Sequence, residues 1–393
     1  MEREFVSVLA VAMALFITPL FFDLALCIAG NLFGSRRPLA VVGRAIRLAV
    51  LVPAHDEESM IARTVLSLKV SDERTPIFVV AHNCSDGTAR AAADAGAQVL
   101  ELNNPKLLGK GAALRHGIAA ALEAGADAVL VVDADSVVSR NLIGATRTML
   151  EKGAGATQCR YELGLPVHER HARPRHPLAR LRALAFRGMN VLRARGRSGL
   201  GFSTGLFGNG FALTAATLKS VPFNASSIAE DVEYHTRLAE QDVPVYWIGD
   251  AFVHGHRPAS SAAQEARWEG GRFRVASRAT GQLLGALLRG HWRAVETLAD
   301  VWSLPLSRGI VALVLTLFLA VHWLHVFALV CAAIAILYVV QAGLLGGEPW
   351  RDLAALGLAP LYLMWKALIT PLVLRQSRSR AEWARTKREA PQP

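Results

Sequence analysis

Two stretches of this 393-residue chain are too long and too apolar for the core of an ordinary soluble domain, and they constrain the architecture before any other feature is read. Phe5 to Phe33 carries one charge, Asp23, and exceeds the roughly 20 residues that a membrane span requires. Leu304 to Leu345 would measure about 60 Å as a single helix, twice the hydrocarbon thickness. It is therefore expected to form two spans, a hairpin with Arg308 at its cytoplasmic end and His322 and His325 flanking the turn on the far side. A third apolar stretch, Leu353 to Leu374, is interrupted by Pro360, Lys366 and Pro371 and is followed by a basic tail. Crossing the membrane would carry that tail outside, so a re-entrant or interfacial helix is expected there.

Composition agrees that part of the chain lives in lipid: 52% of residues are hydrophobic and the mean hydropathy is +0.30. The formal net charge of +11 is clustered, between His168 and Arg197 and between Arg375 and Arg388. Basic runs beside apolar segments are expected to face anionic headgroups rather than nucleic acid. The start, Glu2-Arg3-Glu4, is not basic overall, unlike that of a cleaved signal peptide, whereas Arg36, Arg37, Arg44 and Arg47 come directly after the first apolar segment. The positive-inside rule thus places the domain beyond Arg47 on the cytoplasmic side of the inner (plasma) membrane, in a multi-pass protein. Cys27, Cys84, Cys159 and Cys331 are scattered and lack metal-ligand spacing, as expected of reduced structural thiols.

From Arg47 the pattern changes. Short apolar runs (Leu48 to Pro53, Ile77 to Ala81, Ala97 to Leu102, Ala128 to Val132, Val245 to Ile248) alternate with helices from Glu57, Gly87 and Lys110. This predicts an α/β domain with a mostly parallel sheet whose ligands bind at the carboxyl ends of the strands. An amphipathic helix is expected near Leu178 to Leu192, followed by turns at Gly196, Gly199 and Gly201. The expected organisation is an N-terminal transmembrane helix over 1–34, the α/β domain over 45–260 and interfacial amphipathic helices over 261–303. A transmembrane hairpin over 304–345, the re-entrant or interfacial helix over 353–374 and a basic cytoplasmic tail over 375–393 complete it.

The chemistry-bearing residues fall in one order. Pro53, Asp56 and Glu58 end the first strand and open a helix; Asn83 and Asp86 come after the second, where an Asx turn is the structural alternative. Gly109-Lys110-Gly111 can bring an ammonium to a nucleotide but lacks the full phosphate-loop pattern. Asp133-Ala134-Asp135 succeeds the buried run Val129 to Val132, where two carboxylates can hold a hard divalent cation against a diphosphate. Gly208-Asn209-Gly210 would let an acceptor pass close to the backbone. Glu230-Asp231 offers a general base, Asp231, for an acceptor hydroxyl. His254 and His256 lie after a strand and are potential metal or phosphate ligands. In Gln264-Glu265-Ala266-Arg267-Trp268, Arg267 can fork onto a diphosphate and Trp268 supplies a flat face for a sugar.

With these residues in place, Leu48 to Trp268 resembles a family 2 glycosyltransferase, most of all the membrane-embedded branch that includes cellulose, chitin and hyaluronan synthases. The resemblance implies a GT-A fold, a nucleotide-diphosphate sugar as donor (a UDP-sugar), Mg²⁺ or Mn²⁺, and inversion at the anomeric carbon. Taken together with the residue patterns above, it puts Pro53, Asp56, Glu58, Asn83, Asp86, Lys110, Asp133 and Arg267 at the donor. Gly208, Asn209, Gly210, Gln264 and Trp268 fall at the acceptor, Asp231 with Glu230 at the catalytic position, and Asp135, Asp133 and His256 at the metal. The chain departs from the pattern after the second strand, where Ala81-His82 stands in place of an acidic residue. The expected activity is transfer of a sugar to a lipid-linked or polysaccharide acceptor at the cytoplasmic face. The alternatives are a processive synthase that also secretes its polymer, for which about three spans in one chain are few, and an inactive glycan-binding membrane subunit, which would not need a base.

Overall fold

The computed structural model describes residues 2–35, 43, 45–163, 177–255 and 262–378. Among them, eight strands form one sheet: β1 (Leu48–Ala54), β2 (Ile77–His82), β3 (Gln98–Leu102), β4 (Ala128–Val131), β5 (Ser136–Val138), β6 (Ala156–Leu163), β7 (Phe211–Thr214) and β8 (Val245–Gly255), in the order β3-β2-β1-β4-β7-β6-β8-β5. The first four pair in parallel, with Leu51 facing Phe78 on one side and Val131 on the other. Beyond β4 the sheet is mixed: β7 runs antiparallel to β4 and β6, and β6 is parallel to β8. Strand order reverses between β1 and β4, the switch point at which open α/β sheets bind ligands.

Alternate faces of the central strands feed separate cores. Val50, Val52 and Leu130 pack with Ile61, Val65 and Leu68 of the helix Glu58–Ser71, while Ala49, Leu51 and Val131 pack with Leu114 and Ile118 of the helix Lys110–Glu123. These strands therefore read as unbroken apolar runs, as strands covered on both faces do.

Among the described residues, three helices are long and apolar enough to cross a membrane: Glu4–Phe33, His322–Leu344 and Pro349–Arg375. Phe16, Phe22, Leu329 and Ile336 are exposed on them, as lipid-facing side chains would be. The first arm of the expected hairpin is an 11-residue helix, Leu306–Thr316, which rises about 16 Å; it meets the helix Arg293–Trp302 at a 70° bend. His322 opens the long helix, directly after the turn.

Two expectations are corrected. Gly196 and Gly199 are not turn residues: the helix Pro177–Arg187 continues through one π-turn, Gly188–Leu192, into Arg193–Gly199. Their lack of a side chain lets the first helix cross against them, with Gly196 on Cys27 and Gly199 on Gly30. Four arginines of the first basic run, expected to face headgroups, are instead paired inside the protein. Arg193 and Arg197 are buried on Asp23, at 2.6 and 2.9 Å, and Arg180 and Arg187 pair with Asp352, at 3.3 and 2.9 Å. Residues 168–176 of that run and most of the basic tail, 379–393, lie outside the described residues.

Candidate active site

The carboxyl end of β4 is built by a buried polar brace. Asp133 lies two residues past the strand, and its backbone N–H donates to Asn209 Oδ1 at 3.0 Å; Asn209 Nδ2 in turn donates to Ser136 Oγ at 2.9 Å. Asn209 is fully buried. Behind it, Gln158 on β6 donates to the Asn209 carbonyl at 2.7 Å and accepts from the Phe207 N–H at 2.9 Å. Gly208 and Gly210 both take positive φ, +75° and +71°, which turns the chain sharply on either side of Asn209. Asn209 and Gly210 are therefore corrected as acceptor contacts. The Asn209 side chain is spent on the strand end, and Gly210 packs on Cys159 and Val253. Gln158 and Ser136 were not singled out in the sequence, since a lone Gln or Ser in a strand carries no pattern.

Lys110 gathers the acidic groups. From the first position of its helix, its Nζ lies 2.5 Å from Asp133 Oδ1, 2.5 Å from the Gly208 carbonyl and 3.6 Å from Glu230 Oε1. Glu230 and Asp231 open the helix Glu230–Glu240, where the backbone N–H groups and helix dipole favour negative charge. A Cβ placed on Gly208 would lie 3.2 Å from Asp231 Oδ2, so the carboxylate stands directly over that turn. Burial pushes the Glu230 carboxyl up, opposed by Lys110 and reinforced by Asp231. Burial likewise raises Asp231, opposed by the Val232 N–H and Lys110. Raised carboxylates in a cleft are a general-base signature. Asp135, two residues on from Asp133, is half-buried.

The ends of β1 and β2 form a second cluster. Asp56, at φ +52°, accepts from Ser85 N–H at 2.6 Å. Asp86 accepts from Thr88 N–H at 3.0 Å, the Asx turn that was the structural alternative, and from Glu58 N–H at 3.2 Å. Glu58 closes the turn by accepting from Gly87 N–H at 3.1 Å. Asn83, at φ +51°, binds the Asn104 backbone through both side-chain atoms, and Pro53 lies in β1 opposite Val80. Ligand atoms of Asp56, Cys84 and Asp86 lie within 4.8 Å of one another. Burial raises the Cys84 thiol, and a protonated thiol is a poor metal ligand. Where an acidic residue was expected, His82 is buried and its Nε2 lies 2.8 Å from the Leu107 carbonyl.

His254 is buried in β8, 3.7 Å from Glu162 across the strand pair, and burial lowers its pKa. His256 lies outside the described residues. Gln264, Arg267 and Trp268 fall on the first turns of the helix Ala262–Leu288, and their side chains lie outside the described set.

Comparison with known proteins places this geometry. The profile of the glycosyltransferase-like family 2 matches residues 46–271. Protein RfbJ of Shigella flexneri is 34% identical over 88 residues, which span 22% of this chain and 64% of that protein. Among solved structures, a mannosyltransferase from Pyrobaculum calidifontis, PcManGT, in complex with GDP-Man and Mn²⁺, superposes over 93% of this chain and 96% of its own, with TM-score 0.52 and 17% identity. Glucosyl-3-phosphoglycerate synthase from Mycobacterium tuberculosis covers 63% of this chain and 85% of its own, with TM-score 0.43 and 20% identity. The PcManGT superposition shows a shared GT-A-type fold, and the profile match spans more than half of the sequence. The chain belongs to the glycosyltransferase-like family 2.

Proposed function

We propose that this protein is an inverting membrane glycosyltransferase that moves a sugar from a nucleotide-diphosphate sugar, a UDP-sugar, to a lipid-linked or polysaccharide acceptor at the cytoplasmic membrane face. The observation that carries the reading is the convergence on Lys110, which sets the strand-end Asp133 beside Glu230, with Asp231 over the Gly208 turn. Acid–base chemistry and diphosphate binding then share one cleft at the switch point of the sheet. The likeness to the polysaccharide synthases rests on the sequence motifs alone.

In this reading Asp231 takes the proton from the acceptor hydroxyl as that oxygen attacks the anomeric carbon. The bond from that carbon to the diphosphate oxygen breaks on the opposite face, and one displacement inverts the centre. Lys110 and Arg267 hold the diphosphate, Asp56, Asn83 and Asp86 meet the nucleoside, and Gln264 and Trp268 border the acceptor. Asp133 and Asp135 are half-buried carboxylates, two residues apart, with the Asp133 backbone fixed by Asn209. Such hard oxygen donors suit Mg²⁺ or Mn²⁺, with His256 as the third protein ligand. When bound, the ion would neutralise the charge that develops on the leaving diphosphate.

The test incubates purified full-length protein with a panel of nucleotide sugars and membrane lipid extract, with and without chelator, and weighs the products by mass spectrometry. GDP-mannose belongs in the panel because β2 ends in Ala81-His82 and PcManGT was solved with GDP-Man. The expected result is a lipid product heavier by one sugar, abolished by chelator and restored by Mg²⁺ or Mn²⁺. Full activity in chelator would refute the metal assignment, and donor consumption with no lipid product would refute the acceptor.

A further inference from the structure

Beside the Arg267-Trp268 turn, cations from three helices converge in a place the transfer reaction does not use. Glu269, next in sequence, accepts from Lys366 Nζ at 2.9 Å and is ion-paired with Arg308. Lys366 stands over the Trp365 ring at 5.6 Å and over the Tyr362 ring at 5.6 Å, and the Arg182 guanidinium stands over Trp365 at 5.3 Å. The side chains of Lys366, Arg308 and Glu269 are only 8%, 13% and 15% exposed. Two donors, Arg182 Nε and Arg308 Nε, are buried with no hydrogen-bond partner. On the same short helix, Ala359–Leu368, Leu361, Met364 and Leu368 are exposed. A ligand that suits both features carries an anionic head for the guanidinium groups and an apolar tail for the lipid-facing side.

We infer that Arg182, Arg308 and Lys366, with Trp365, bind the phosphate headgroup of a membrane lipid. The inference deepens the proposed lipid acceptor and rests on it for its place in the reaction: a phosphorylated lipid seated here lies next to the helix that carries Arg267 and Trp268. Guanidinium groups suit such a ligand because they present paired N–H donors to phosphate oxygens.

The experiment measures binding, not transfer, so that it can fail separately from the proposed activity. Full-length protein in neutral detergent is titrated with tritiated dioctanoyl phosphatidate, with farnesyl phosphate or inorganic phosphate as competitor. The variants are Arg182→Gln and Arg182→Lys. Wild type should bind phosphatidate at least about tenfold more tightly than Arg182→Gln, with Arg182→Lys between them, while binding of the nucleotide diphosphate is unchanged in all three. Stronger competition by farnesyl phosphate would identify the site with a prenyl-linked acceptor, and equal competition with a bilayer phospholipid. Competition by inorganic phosphate as strong as that of the lipids would overturn the lipid assignment. Undiminished phosphatidate binding by Arg182→Gln, or none by wild type, would overturn the site. Thermal melting checks that the variants are folded, and Lys366→Gln repeats the comparison should Arg182→Gln fail to fold.

Discussion

At Asp231, the proposed base, opposing influences meet: burial raises its carboxyl and that of Glu230, and Lys110 pulls both back. A base must be ionised to accept a proton, so the acidic limb of the pH profile of kcat/KM should lie above the ordinary carboxylate range. Lys110→Gln removes a charge that favours ionisation, and the limb should move to higher pH. The position of the limb is the readout, because loss of a diphosphate contact would lower the whole profile without displacing it. A limb at unchanged pH would separate Lys110 from the base. Asp231→Asn keeps the size of the side chain and removes its basicity. Transfer should fall by roughly 10² to 10⁴, the usual contribution of a general base, with donor binding nearly intact by titration calorimetry. Equal loss of donor binding would make Asp231 a structural carboxylate at a helix start.

At the scale of elements, the support behind the site decides more than the residues that face the substrate. Asn209→Ala would strand the Asp133 N–H and Ser136 hydroxyl that its side chain satisfies. Each buried group left unpaired costs about 1–3 kcal/mol. The variant should unfold earlier in denaturant and bind donor and cation more weakly, and unchanged donor binding in a destabilised protein would confine Asn209 to stability. The sequence shows β1, β2 and β4 because strands covered on both faces are continuous apolar runs, and it shows the acids because they come after those runs. It conceals β5, β6 and β7. β5 and β7 are three and four residues long, and β6 carries Thr157, Gln158 and Arg160, so neither apolar run nor clean alternation marks them. The Asn209 brace was hidden for a related reason: a Gly-Asn-Gly turn reads the same whether it faces solvent or, as here, a buried Gln158. The glycines of Arg193–Gly199 were misleading because close helix crossing and turn formation both call for a missing side chain.

For the whole molecule, the decisive contacts are those that tie membrane helices to the catalytic domain. Asp23, the one acid in the first apolar segment, lies buried between Arg193 and Arg197; Arg193 continues to Asp300, at 2.9 Å, and Asp300 to Arg272, at 2.5 Å. Removing one partner of such a pair leaves uncompensated buried charge and typically costs about 3–5 kcal/mol, so Asp23→Leu should lower the melting temperature of the solubilised protein sharply. Packing also bears on topology. The helix Thr370–Arg378, which ends the third apolar segment, lies against Ala262–Leu288, the helix that carries Arg267 and Trp268. An end packed on that helix belongs with the catalytic side, even though Pro349–Arg375 is long enough to cross. It is interrupted by a 3-10 turn, Ala355–Leu358, and by a break before Thr370. A reporter fused after Pro393 should therefore report the same compartment as one inserted in residues 164–176 of the catalytic domain, and by the positive-inside rule that compartment is the cytoplasm. Opposite compartments would make the third apolar segment a true span.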